Sequence, residues 1–201
     1  MKSQRYLKIC GNNAIIQDLI VSGKIITSGR YAGGVLATQG AGMVFNCTNN
    51  VEIIQNYSQT SACSIGGVVG YASGNVKKCV NKASITSISS NARNSVGGIV
   101  GVFSSTNECK IEQCYNLDNI TATGNSTYCD VGGICGQNYL NISTSYNSGN
   151  IYGNGSGQAI VGGIAGVCSG ANGIISNCYN SGEIKTDRTI ATNRRNWRRF
   201  L

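Results

Sequence analysis

A chain of 201 residues with no histidine, no proline, 28 glycines and ten cysteines has no route to Ser-His-Asp or Cys-His catalysis, or to any histidine zinc site. Its formal charge of +8 does not describe a basic binding face: between residues 9 and 187 eight lysines and arginines offset all eight acids. The excess lies in Lys2, Arg5 and Lys8 at one end and in Arg188, Arg194, Arg195, Arg198 and Arg199 at the other.

In chain order, "MKSQRYLKICGNN" has no apolar core of the secretory type, so no signal peptide is expected in this chain. From there the sequence repeats with a period of about 30 residues, in the range of solenoids and arrays. A degraded first arm, "LKICG" (Leu7 to Gly11), leads into "IQDLIVSGKI" (Ile16 to Ile25). Later units open with "GGVLA" at Gly33, "GGVVG" at Gly66, "GGIVG" at Gly97, "GGICG" at Gly132 and "GGIAG" at Gly162. Each continues into a ten-residue arm: "VFNCTNNVEI" from Val44, "VKKCVNKASI" from Val76, "IEQCYNLDNI" from Ile111, "ISTSYNSGNI" from Ile142 and "ISNCYNSGEI" from Ile175. No sustained 3.6-residue period appears, and the Asn, Gly, Ser and Thr content opposes helix. The pattern predicts an all-β parallel β-helix, or β-solenoid, of about six coils over residues 1–186. A basic, non-repeat tail that does not form a seventh coil is expected at 187–201, either disordered or with Trp197 and Phe200 as a loose cap or, less favoured, as a nucleic-acid or anionic-membrane arm.

The columns of this alignment assign roles. Ile25, Ile53, Ile85, Ile120, Ile151 and Ile184 share one position, as an interior strand column requires. Val21 is followed in its column by Asn49, Asn81, Asn116, Asn147 and Asn180, placed to pass amide hydrogen bonds from coil to coil. Cys47, Cys79, Cys114 and Cys178, with Leu19 and Ser145, form a small interior column where a thiol acts as a small apolar group. Cys10 and Cys135 are placed in an apolar column with Leu36, Val69, Val100 and Ala165. Cys63, Cys109, Cys129 and Cys168 lie off these columns and are the better candidates for disulfides, which the sequence leaves open. Tyr115, Tyr146 and Tyr179 form an aromatic column, read first as packing beside the asparagines and second as a ligand contact. The double glycines are read as scaffold, where the backbone packs closely, and not as a phosphate cradle, which would need a following helix.

Little chemistry is left. No Cys-x-x-Cys is present, so the strong zinc signature is missing. Glu52 and Glu183 share a column four coils apart, and Glu112 and Asp118 read as a solvated pair. No catalytic residue, cofactor or metal ligand is assigned, and no enzyme activity is expected. Six Asn-x-Ser/Thr sequons (Asn46, Asn56, Asn119, Asn125, Asn141 and Asn154) are unsurprising in so Asn- and Ser-rich a chain.

At "GGIVGV" followed by "IEQCYNLDNI", and again at "GGIAGVCSGANGIISNCYNSGEI", the chain resembles GLUG-motif repeats. These occur in bacterial and some protist surface proteins, including the repeat regions of IgA-specific metallopeptidases and adhesin-like proteins. The resemblance extends from about residue 6 to Thr186. It implies a secreted or cell-surface structural scaffold with a stalk, adhesion or protein-interaction role, whose partner is a protein or surface glycan. It carries over no catalytic residue, because the motif holds none and the metallopeptidase zinc helix is absent from this sequence. With no leader or anchor in the pattern and a start inside a coil, the chain is expected to be a fragment of a longer protein. The alternative is a carbohydrate-binding or carbohydrate-active β-helix, with sugars stacking on Tyr115, Tyr146 and Tyr179 or on the residues after the Ile column, Thr86, Thr121 and Tyr152. No transmembrane segment is expected.

Overall fold

The computed structural model describes residues 7–11, 13–90, 93–105, 108–169, 173–187 and 192–194, and all regular structure among them is β-strand. The strands wind into a parallel β-solenoid of about five turns, against the six coils expected. One turn shows the path. Val100–Phe103 lies in sheet A, Lys110–Glu112 in sheet B, Tyr115–Asn116 and then Ile120–Gly124 in sheet C, and Tyr128–Gly132 in sheet D. The chain then re-enters sheet A one level on, at Cys135–Asn138. Sheets A, B and D have six strands each and sheet C has ten.

Register follows the repeat. The Ile column is a continuous ladder from Ile25 through Ile53, Ile85, Ile120 and Ile151 to Ile184. Stacked like this, identical side chains recur about every 4.8 Å. In the first two coils Ile20–Thr27 and Thr48–Tyr57 run unbroken through sheet C. In later coils a turn interrupts the strand at residues such as Leu117, Asp118 and Asn119, or Ser148, Gly149 and Asn150, where turn formers replace the β-branched Val51.

One column needs correction. Cys10 does not stand with Leu36: Leu7 pairs with Leu36, and Cys10 pairs with Gln39. Cys135 does occupy the Leu36 column, between Val100 and Ala165. The first arm lacks the Gly-Gly that fixes register elsewhere, so lining up Gly11 with the later glycines shifts it by three residues. At the other end, Thr192–Arg194 carries none of the repeat's residues, yet it adds a parallel strand to sheet D beside Gln158–Gly162. Trp197 and Phe200 lie outside the described residues.

The interior is two cores, not one. Leu36, Val69, Val100, Ile111, Cys114 and Ile142 belong to a cluster enclosed by sheets A and B. The Ile column packs with Ile65, Val96, Val131 and Val161 between sheets C and D. The Gly-Gly corners and the Asn column meet between them. A Cβ on Gly133 would stand 2.5 Å from Asn147 Cβ, and one on Gly163 would stand 2.6 Å from Asn180 Cβ, so the second glycine of the pair touches the asparagine directly. The third glycine of the motif lets sheet A lie backbone to backbone on sheet D: a Cβ on Gly136 would meet Val96 N at 2.5 Å. Each fully buried Ile or Val contributes roughly 1.5–3 kcal/mol, and their coil-by-coil repetition is what drives the stack.

Candidate functional site

The asparagines form one hydrogen-bonded ladder. Nδ2 of Asn49 donates to Oδ1 of Asn81 at 2.7 Å, Asn81 to Asn116 at 2.7 Å, Asn116 to Asn147 at 2.6 Å and Asn147 to Asn180 at 2.6 Å. The second amide hydrogen goes to the carbonyl two residues on, as from Asn116 to Asp118 O at 2.7 Å. Asn49, Asn81, Asn116 and Asn147 are fully buried, and each spends its donors and its acceptor within the protein. The same geometry turns the chain at the corner of sheet C. Asn180, in the last coil, is half-buried.

Of the Ile column, Ile25, Ile53, Ile85, Ile120 and Ile151 are buried and Ile184 is half-buried. Tyr115, Tyr146 and Tyr179 are brought together on the outer face of sheet C. Their ring centroids are 4.6 and 5.0 Å apart, and Tyr146 and Tyr179 lie 6° from parallel. The rings therefore turn faces toward one another along the axis, with Tyr115 and Tyr146 half-buried and Tyr179 exposed. Thr86, Thr121 and Tyr152 form a second outward row on the same sheet. The Tyr152 hydroxyl donates to the Asp187 carboxylate, which raises the phenol's pKa.

All ten cysteines are free, including Cys63, Cys109, Cys129 and Cys168. Thiols of the small column donate to carbonyls of the preceding coil, Cys79 to Val44 O at 3.7 Å and Cys114 to Val76 O at 3.5 Å. The Cys114 side chain beside Cys79, together with burial, pushes the Cys79 thiol up to about 12. Burial alone does most of the same for Cys129, also to about 12, and for Cys63, to about 11. These thiols are held in the form that is inert as a nucleophile.

The acids are dispersed. Glu112 pairs with Lys110 at 2.9 Å and Lys77 at 3.5 Å, and the Lys110 hydrogen bond leads in lowering its pKa. Asp118 accepts from the Asn119 backbone N–H at 2.7 Å. Lys24 engages Glu52, and Lys185 engages Glu183. Among the described residues no three His, Cys, Asp or Glu side chains cluster to hold a metal ion, and no helix is long and apolar enough to cross a membrane.

The residue that sequence reasoning missed is Asp130. It is fully buried in sheet D, in a column with Ser64, Ser95 and Ile160. A lone charge between Cys129 and Val131, in a strand otherwise apolar up to its glycines, was the available signal. No family model matches the chain, and no curated protein sequence matches it.

Proposed function

We propose that this chain is a non-enzymatic repeat scaffold, a rod that serves adhesion, protein interaction or a stalk role in a surface or secreted protein. The GLUG-like motif is the source of the surface assignment. The observation that carries the scaffold reading is how the motif residues are spent. The glycines pack against backbone and asparagine, the asparagines bond to one another, and the isoleucines and cysteines fill the two cores. What recurs in every coil is packing, while much of the outer surface changes, as in the sheet B column of Phe45, Lys77, Glu112, Ser143 and Ser176. A repeat frame that presents different surfaces along its length behaves in this way.

The carbohydrate alternative rests on Tyr115, Tyr146 and Tyr179. A sugar stacks on an open aromatic face, and these rings face each other, which favours their role in packing. Parallel protein and glycan arrays, with an assay for polysaccharide cleavage, test the two readings. Saturable binding to a protein without glycan turnover supports the scaffold. Cleavage, or sugar binding lost on Tyr146→Ala with an unchanged melt, overturns it in favour of the alternative.

A further inference from the structure

Asp130 is a charge placed where the fold offers it little support. Its side chain is wholly enclosed. Oδ2 receives Arg93 Nε at 3.3 Å and Gln137 Nε2 at 3.4 Å, both long for charge-assisted bonds. Oδ1 has no protein partner. The contacts span three parts of the solenoid: Asp130 is on one strand of sheet D, Arg93 begins the strand of the preceding coil, and Gln137 comes from sheet A, folded back over the Gly-Gly corner. Arg93 has an alternative to this pairing. Its guanidinium carbon lies 4.6 Å from the centroid of the Tyr128 ring, and its side chain is 36% exposed.

We infer that Asp130 and Arg93 form an acid-responsive clasp: the pair is closed at neutral pH at a cost to the fold, and protonation of Asp130 opens it and tightens the solenoid. The groups facing Asp130 are Arg93 and Ser95 from the preceding coil, Ile160 from the following one, Gln137 from sheet A and Tyr128 on its own strand, with the neighbouring Cys129 thiol turned the other way onto Ala122 O. Arg93 is the charged member of that set, and Cys129 stays neutral because burial and Asp130 itself hold its thiol near 12. Burial pushes the Asp130 carboxyl up to about 6, with Arg93 opposing the shift.

The sign follows by linkage. Unfolded, the carboxyl titrates near 4 (about 3.9). Between that value and about 6 the folded protein binds the extra proton. Stability from this group is therefore fully present below about 4 and is lost as pH rises through about 6. Two pH units correspond to a factor of up to ~100 in the folding equilibrium. Carboxylates that are well paired or hydrogen-bonded act in the opposite direction, favouring the fold at higher pH.

Carbon-detected NMR of the Asp130 carboxyl in the full chain reads the clasp directly, and urea melts at pH 4 and 7.5 read its effect. The expected carboxyl midpoint is near 6, rising in Arg93→Gln, because Arg93 is the group that lowers it. Asp130→Asn, a neutral mimic of the protonated acid, should be more stable than wild type at pH 7.5 by up to ~100-fold in the unfolding equilibrium constant, with the gap closing at pH 4. A carboxyl midpoint below 4, or one unmoved by Arg93→Gln, overturns the clasp. So does an Asp130→Asn variant that is less stable than wild type at pH 7.5. If that variant does not fold, the wild-type and Arg93→Gln titrations still decide.

Discussion

Asp18, Asn46, Lys78, Gln113, Thr144 and Asn177 occupy the same point of successive coils, and all have left-handed backbone, with φ between 49° and 57°. They turn the chain from sheet B into sheet C, just before the small Leu, Cys and Ser column. Asn and Asp tolerate this region; a β-branched residue does not. Thr144 is thus the strained member, and Thr144→Asn should stabilise the protein by about 1 kcal/mol, seen as a higher urea midpoint with an unchanged denaturant slope. A fall in midpoint would mean that the Thr144 side chain contributes more than its backbone costs. Gly98 is the opposite case. A Cβ there would lie 2.6 Å from Asn116 Cβ and nearer still to the Gly133 carbonyl, with backbone and ladder on both sides unable to yield. Gly98→Ala should cost at least ~2 kcal/mol in the same melts.

At the level of a single ladder or strand, the consequence is one of position. Asn116 accepts from Asn81 and donates both to Asn147 and to Asp118 O. Asn116→Ala leaves a buried donor on Asn81 and a buried acceptor on Asn147, each worth roughly 1–3 kcal/mol when unmade. Asn180 ends the described ladder and is half-buried, so Asn180→Ala should cost distinctly less. Equal losses in chemical denaturation would show that the amide chain is not what holds the corner. Alternation along Ile120–Gly124 sets a second contrast: Ile120 is fully buried and its neighbour Thr121 half-buried on the outer face. Ile120→Asp places an unpaired carboxylate in the core and should prevent folding or cost several kcal/mol. Thr121→Asp should stay within about 1 kcal/mol of wild type.

For the whole molecule, the two cores predict how the thiols behave together. Seven of the ten cysteines are buried, Cys10 and Cys178 are intermediate, and Cys168 is exposed. Titration of the native protein with an aromatic disulfide reagent should label Cys168 quickly, Cys10 and Cys178 slowly, and the remaining seven only as the protein unfolds. More than three thiols labelled before unfolding would contradict the stack. Because the coils are related by translation, contacts run between neighbours, and stability should accumulate coil by coil rather than from one central nucleus.

The sequence by itself determined the coil: its length, its strand class, the inward face of each strand and the stacking of Ile on Ile and Asn on Asn. These were legible because parallel pairing in register repeats a column at every turn, and slipping a strand by one residue would expose the whole Ile face. Four features were decided only in three dimensions. The division of the lumen into two cores depends on Gly133 touching Asn147 across the coil. The left-handed corner recurs on Asp, Asn, Lys, Gln and Thr, side chains with no shared chemical signal. The enclosure of Asp130 arises when sheet A folds back and brings Gln137 over it, and the Cys10 register was set by backbone pairing where no double glycine marks the arm. A repeat reports what each coil shares with its neighbours; a residue that departs from its column is explained only by what packs around it.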